Sequence, residues 1–517
     1  MKRWDKYLSL FLEYKKTPTI LSWAFFVFVL CNAWISDDAY ISFTSVNNFV
    51  DGLGLVYNVG ERVQTFTNPL LVIILIPVHL LFNNLGINAI YYESLAISLC
   101  LLMLFLYLIK ALFTNTAKHS LALLLLCTNI PIIDYFTSGL ENSLNYVLVL
   151  LLLLILKNKK WYWLALISGL MVLSRLDLFV LVSPIVFYQL VHLNRRGAKI
   201  KYLSLFIMPW LAWELFALIY YGTLIPNSVI AKSSFDPSFK SVLINDWRYI
   251  LGTLYFHPIA MILPVALFIV LIKTQSYSKV MAIGVVLYFF LPFMGGGDFM
   301  SGRFQTVVSV LLITASIFYT TNQLHIKRLA VVSILLFALH PNSYVLQAYK
   351  LITDSDTTKM YLRIADEKIF YFSRTSLAYL LAYNEPISNF KPAAEGIQLK
   401  NKGGYNVVKQ VMAGYTGYYS GANTYLTDKI GIVDPLLARL PSEKANRWRP
   451  GHPKKIYPDG YMESLRKKKN LIQNQSIKLL YSDILLVTRS SEFFTRKRWD
   501  AIWRLNTGYH KIERGYE

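Results

Sequence analysis

The sequence predicts a polytopic α-helical membrane protein, of about eleven spans, with a C-terminal extracytoplasmic α+β domain, on three observations. The chain of 517 residues is 55% hydrophobic with mean hydropathy +0.41, and 16% of it is charged, against about a quarter in soluble globular proteins. Apolar runs recur to about residue 345 and then stop. Beyond them, residues 342–517 hold 28 Lys and Arg against 16 Asp and Glu, so this tail carries +12 of the formal net charge of +22. A basic tail beside a membrane suits phospholipid or lipid-linked phosphate and makes nucleic acid an unneeded partner.

The first element runs from Thr19 to Ile35 and is nearly all apolar. At about 1.5 Å per residue it can cross a roughly 30 Å hydrocarbon core with its flanks. The N-terminus is basic and then apolar, as in a signal peptide, but Ser36-Asp37-Asp38 offers no small-residue cleavage pattern. It therefore reads as an uncleaved first helix. Further spans are expected over 88–109, 119–134, 143–156, 161–174, 178–193, 203–221, 257–273, 280–294, 304–322 and 329–345, after a first at 18–36. Leu70 to Phe82 is apolar over only 13 residues, which fits a juxtamembrane or re-entrant helix.

Charge then sets the direction. With these spans, 18 Lys and Arg fall on one side and six (Arg62, Arg175, Lys232, Lys240, Arg248, Arg303) on the other before residue 342. The positive-inside rule makes the first side cytoplasmic. Eleven crossings leave the tail outside. The expected division is a membrane domain over 1–345, whose first outer loop is 37–87, and an outer domain over 346–517. In the tail, Gly and Pro punctuation, the short runs Ile477–Tyr481 and Ile484–Thr488, and the helix-like stretch Lys359 to Leu380 suggest the α+β class. The cysteines Cys31, Cys100 and Cys127 all lie in apolar runs, so neither a disulfide framework nor a Cys/His metal spacing is present.

Polar residues gather at the outer ends of these spans. They are Asp37 and Asp38 with the loop from Tyr57 to Asn68, then Glu141, Arg175 and Asp177, Asn227 and Lys232, and Asp298 and Arg303. In a vicinal acid pair one carboxylate can act as general base while the other orients it or binds a hydroxyl. The alternative is that Asp37 is a helix-end charge and Asp38 a cap. Arg175, Lys232 and Arg303 could each hold a phosphate, or each could pair with Asp177, Glu141 or Asp298. Glu141 and Asn142 could equally cap the next helix. Gly295-Gly296-Gly297 frees backbone N–H groups that could approach a phosphate or sugar, and it also reads as an ordinary turn. An acidic base, several cations and a wet outer face suit transfer of a sugar from a lipid monophosphate. The acceptor hydroxyl gives its proton to Asp and attacks the anomeric carbon, and the lipid phosphate departs against the cations with inversion. A transporter or flippase of a lipid-linked saccharide is the rival reading. It would set polar residues at the midplane on broken helices, often in repeated halves. Here they collect at one face, and no repeat is evident. A structural protein with a membrane anchor would not need eleven spans.

These residues also resemble a known family. Asp37-Asp38-Ala39-Tyr40-Ile41, Gly54-Leu-Val-Tyr-Asn58, Gly60-Glu-Arg-Val63 and Thr67-Asn-Pro-Leu70 are similar to the first outer loop of membrane glycosyltransferases with the C-type (GT-C) fold. The likeness points to the polyprenyl-phosphate-dependent arabinofuranosyltransferases that cap cell-wall arabinan. It runs on through Gly139-Leu-Glu141, Arg175-Leu-Asp177, Tyr221 to Asn227 with Lys232, Asp298 and Arg303, Asp428 to Gly431, Asp434-Pro435 and Arg449-Pro-Gly-His452. The resemblance implies a polyprenyl-phosphate sugar donor, with arabinofuranose a candidate sugar. It also implies catalysis on the extracytoplasmic face of the plasma membrane and a glycan, lipid-linked saccharide or protein acceptor in the cell envelope. It makes Asp37 the base and Asp38 its neighbour, and adds Tyr40, Asn68 and His452 to the donor-binding group. Gln64-Thr-Phe66 and Leu176 depart from the family pattern, which leaves the acceptor and the sugar open. No Asp/Glu/His cluster demands a divalent metal, and no other cofactor is indicated.

Overall fold

The computed structural model describes residues 2–84, 90–234, 237–274, 277–339, 360–384, 386–443 and 449–512. The expected junction at 345/346, the first residues of the span expected from 88, the end of the last span and Lys359 lie outside the described residues. The chain is largely helical, and the apolar runs are the helices. They are Thr17–Cys31, Ile90–Leu112, Thr116–Thr128, Asn142–Lys157, Trp161–Ser174, Leu178–His192, Arg196–Tyr220, Pro258–Ile272, Tyr277–Phe290, Gln305–Tyr319 and Leu324–Leu339. Among the described residues, three helices are long and apolar enough to cross a membrane, or four if one bent pair counts as a single span; several shorter apolar helices accompany them. This is the make-up of a polytopic membrane protein.

Proline explains the breaks. The run expected over 119–134 divides into Thr116–Thr128 and Ile130–Asp134, where Pro131 enters at the start of the second piece. The helices Phe239–Phe256 and Pro258–Ile272 meet at a 105° bend. Pro258 has no N–H to continue the first helix, and it forces His257 out of helical geometry.

By contacts the described chain forms two compact units. The first joins Met1–Ser36, Tyr91–Pro209 and Phe239–Glu385 and holds most of the apolar helices. Its helices approach closely: a Cβ at Gly284 would strike the carbonyl oxygen of Leu181, the small-residue packing that membrane helices favour. The second joins Asp37–Ile90, Trp210–Ser238 and Pro386–Glu517. It contains a parallel strand pair, Asn406–Gln410 with Thr424–Asp428, connected by the helix Ala413–Ser420. Against that pair sits a core of Tyr425, Leu436, Tyr461, Ile477, Leu480 and Ile484.

Three local expectations are corrected. The stretch after Ser36 is not loop from its start but the helix Asp37–Val50. The runs at Ile477 and Ile484 are not strands but one helix, Gln475–Arg489. Its buried Ile477, Leu480, Tyr481, Ile484 and Val487 recur at the helical period. Phe239–Phe256 is a helix where none was expected, because Lys240, Asn245, Asp246 and Arg248 interrupt its apolar pattern. Leu70 to Phe82 is helical within Pro69–Asn84, with Pro77 inside.

Candidate active site

The predicted residues divide between the units. Glu141, Arg175, Asp177, Asp298 and Arg303 belong to the first, and Asp37, Asp38, Tyr40, Asn68, Asn227, Lys232 and His452 to the second.

In the second unit Asp37 opens the helix Asp37–Val50, and both acids of the pair stand in its first turn, where the helix dipole favours negative charge. Asp37 is buried, while Asp38 is half-buried. One Asp37 oxygen accepts from the Tyr415 N–H at 2.8 Å and the other from the Gly414 N–H at 3.0 Å. These are unsatisfied donors of the helix Ala413–Ser420. A Cβ at Gly414 would collide with the Asp37 backbone, and one at Gly417 with the Tyr57 hydroxyl, so glycine at both positions lets this helix lie against Asp37 and Tyr57. Burial pushes the Asp37 carboxyl up to about 7 from 3.8, against the pull of the two N–H groups. A carboxylate has about four acceptor directions. With two used, this one can still take a proton, and its proton affinity is set near neutral pH.

Asp38 shares the surroundings of His452 with Arg449 and Lys232. His452 is lowered to about 4 by burial and by Arg449 and Lys232 nearby, with Asp38 acting in the opposite sense. Its imidazole is therefore neutral at physiological pH, with Nδ1 3.0 Å from the Pro450 carbonyl oxygen. Lys232 is exposed in the last turn of the helix Asn227–Ser233. Tyr40 is buried and packs on Tyr415, ring centroids 4.2 Å apart, and on Tyr418 at 5.4 Å. Asn68 accepts from the Ser42 hydroxyl at 3.3 Å. Asn227 serves the backbone: its amide donates to the carbonyls of Gly431, Ile432 and Asp434 at 2.8, 3.0 and 3.3 Å. That loop is also held from within, since the Asp428 carboxylate accepts from the N–H groups of Ile430, Gly431, Ile432 and Val433.

In the first unit the acids and arginines pair with one another. Arg175 grips Asp177 with two bonds, of 2.9 and 2.6 Å, and Glu141 with a third of 2.6 Å. Arg303 reaches the same Glu141 oxygen at 3.1 Å. Two guanidinium groups thus face two carboxylates. Burial would raise Glu141, but Arg303 and Arg175 outweigh it and hold the carboxyl at about 2. Asp298 accepts from the N–H of Phe299 at 2.8 Å.

Several charged groups escaped the sequence reading. Lys368 forms a buried pair with Asp134 at 2.8 Å, and Asp366 lies 3.4 Å from His257. Glu61 binds Arg489 at 3.0 Å and the Tyr425 hydroxyl at 2.6 Å. In each case the partners are far apart in sequence, and no local signal joins them. Gly414 and Tyr415, which hold Asp37, carry no motif at all. Among the described residues no three His, Cys, Asp or Glu side chains gather so as to hold a metal ion.

A largely helical membrane protein with a buried carboxylate held by backbone N–H groups beside a second acid is the class that these features define. Over an alignment of 553 positions, the chain is 23% identical to the terminal β-(1→2)-arabinofuranosyltransferase of Mycobacterium tuberculosis, covering 87% of this chain and 85% of that protein. The likeness supports a glycosyltransferase, and the apolar helices a membrane location. No family model matches the chain, and no solved structure does.

Proposed function

We propose that the chain is an inverting glycosyltransferase with Asp37 as its general base. It moves a sugar from a polyprenyl monophosphate to a hydroxyl of a cell-envelope glycan, lipid-linked saccharide or protein on the extracytoplasmic face. One observation carries the reading: a buried carboxylate, fixed by two backbone N–H groups and poised at about 7, beside a second acid, Asp38, that acts on His452 together with Arg449 and Lys232. In the reaction, the acceptor hydroxyl gives its proton to Asp37 as its oxygen bonds to the anomeric carbon. The bond from that carbon to the phosphate oxygen breaks, and the lipid phosphate leaves with the electron pair. Lys232 and Arg449 stabilise the departing charge. Asp38 orients the acceptor, and the neutral His452 binds a sugar hydroxyl. Glu141, Arg175, Asp177 and Arg303 bind one another.

Two features support the sugar and the acceptor. The name of the Mycobacterium tuberculosis relative favours arabinofuranose, as does the sequence likeness around Asp37. A small cleft lined by Thr44, Asn47, Asn48, Asn58, Tyr418 and Thr424 presents amides and hydroxyls of the kind that meet a sugar hydroxyl. The test is Asp37→Asn, read by mass spectrometry of the envelope glycan and by transfer from a synthetic polyprenyl-phosphate sugar. The expected loss is about 10²-fold or more, since positioned acid–base groups contribute about that much, with folded protein retained. Full transfer by this variant would remove Asp37 as the base.

A further inference from the structure

In the first unit, the N-terminal helix Lys2–Glu13 presents two unlike faces. On one, Leu12 is fully buried and Leu8 and Ser9 are half-buried. That face is held by the protein: the helix lies against Thr116–Thr128 and Leu324–Leu339, and Lys327, near the start of the latter, donates to the Ser9 hydroxyl at 2.9 Å. The other face is apolar and turned outward. Tyr7, Leu10, Phe11 and, one residue past the helix, Tyr14 are 44–58% exposed. Steps of three, one and three residues set all four on a single stripe.

At about 1.5 Å per residue the helix is too short to cross a hydrocarbon core of roughly 30 Å, so this stripe is not one side of a span. Lys6 and Glu13 flank it, and Lys15 and Lys16 follow in the turn; all four are exposed. The turn is closed by Thr17, whose hydroxyl donates to the Phe11 carbonyl at 2.6 Å. The apolar helix Thr17–Cys31 begins there and in its turn points Ile20, Trp23 and Val27 outward. An apolar stripe facing away from the protein, with cations at its edge, is the form of a helix that lies on a membrane. Three cations against one acid favour anionic headgroups.

We propose that Lys2–Glu13 lies along the bilayer surface and docks on a leaflet of anionic phospholipid. Tyr7, Leu10, Phe11 and Tyr14 enter the boundary between headgroups and acyl chains, and Lys6, Lys15 and Lys16 meet the lipid phosphates. Lys327, which holds the helix from behind, belongs to the basic side of the charge count, and the leaflet on that side is the one that carries negative lipid. The surface is independent of the site proposed for sugar transfer.

The test uses full-length protein with Cys31 and Cys100 replaced by Ala, Cys127 being buried. Leu10→Cys is labelled with a fluorophore, and the protein is placed in nanodiscs of phosphatidylcholine with or without phosphatidylglycerol. Lipids carrying a nitroxide near the headgroup should quench the probe several-fold more than lipids carrying it at the chain end. Iodide in the buffer should quench it several-fold less than it quenches free dye. Phosphatidylglycerol should strengthen the lipid quenching about twofold or more, and Lys6→Gln, Lys15→Gln and Lys16→Gln together should remove that gain. Tyr14→Cys, on the same stripe, stands in if Leu10→Cys does not fold. Quenching by iodide as for free dye places the stripe in water. Quenching by neither iodide nor lipid shows that protein, a second copy included, covers it, and strongest quenching from the chain end makes it part of a span. Each of these overturns the proposal, and an equal signal with and without phosphatidylglycerol overturns the choice of anionic lipid.

Discussion

A carboxylate must be ionised before it can accept a proton, and burial delays that at Asp37 to about pH 7. Transfer measured as kcat/KM should therefore rise with pH through about 7 and level off above it; a rate flat from pH 5 to 8 would exclude Asp37 as the titrating base. The sign for stability is opposite. The unfolded chain ionises Asp37 from 3.8 upward while the folded chain keeps it protonated, so this residue's contribution to stability is present at low pH and lost as pH rises towards about 7. Asp37→Asn mimics the protonated form, and at pH 8 its melting temperature in detergent should equal or exceed that of the wild type. Glu141 behaves in the reverse way, because its two arginines hold it at about 2. Its contribution is present above the ordinary carboxyl value and lost only as pH falls through about 2. Glu141→Gln would take from Arg175 and Arg303 the buried carboxylate that both bind. A cost on the order of 3–5 kcal/mol is expected for breaking a buried ion pair, read as a lowered thermal midpoint. An unchanged midpoint would show that water already screens the group.

At the scale of elements, the helix Ala413–Ser420 matters through what it lacks. Gly414 and Gly417 let it lie against Asp37 and Tyr57, whose hydroxyl donates to the Ala413 carbonyl at 2.5 Å. Gly414→Ala would force the two backbones apart and stretch both N–H bonds to Asp37. Transfer should fall by about tenfold or more although every acid and cation remains, and the kcat/KM profile should shift to higher pH as the N–H groups that favour the anion withdraw. A normal rate with an unmoved profile would show that the helices can separate at no cost. This contact also shows where sequence reasoning stops. Apolar runs such as Asn142–Lys157 and Gln305–Tyr319 declare themselves because every residue in them is free to be apolar. Phe239–Phe256 does not, since the charges of Lys240, Asp246 and Arg248 mask the stripe. Ile477 to Val487 has the spacing of a helix, but the short apolar clusters within it also match strands. Asp37 and Asp38 are legible as acids at the end of a span. Their partner at Gly414 is 377 positions away, and nothing about a glycine there announces that a carboxylate leans on it. Arg175 and Arg303 are legible as outlying cations, but only geometry reveals that Glu141 and Asp177 already neutralise them.

For the whole molecule, the proposed lipid-linked donor depends on orientation, for which the distribution of 18 against six Lys and Arg along the expected spans is the sequence argument. The exceptions on the sparse side have local reasons to be there. Arg62 caps a helix end, and Arg175 and Arg303 are fixed by Glu141. Positions set by buried partners are poor reporters of membrane direction, so removing them from the count makes the asymmetry larger. A cysteine scan tests this directly once the exposed native Cys31 and Cys100 are replaced by Ala, Cys127 being buried. Leu53, exposed just beyond the helix that Asp37 begins, should when changed to Cys react with a membrane-impermeant maleimide in intact cells. Arg195→Cys, in an exposed turn on the basic side, should react only after permeabilisation. The reverse pattern would place Asp37 on the cytoplasmic side and end the extracytoplasmic reading.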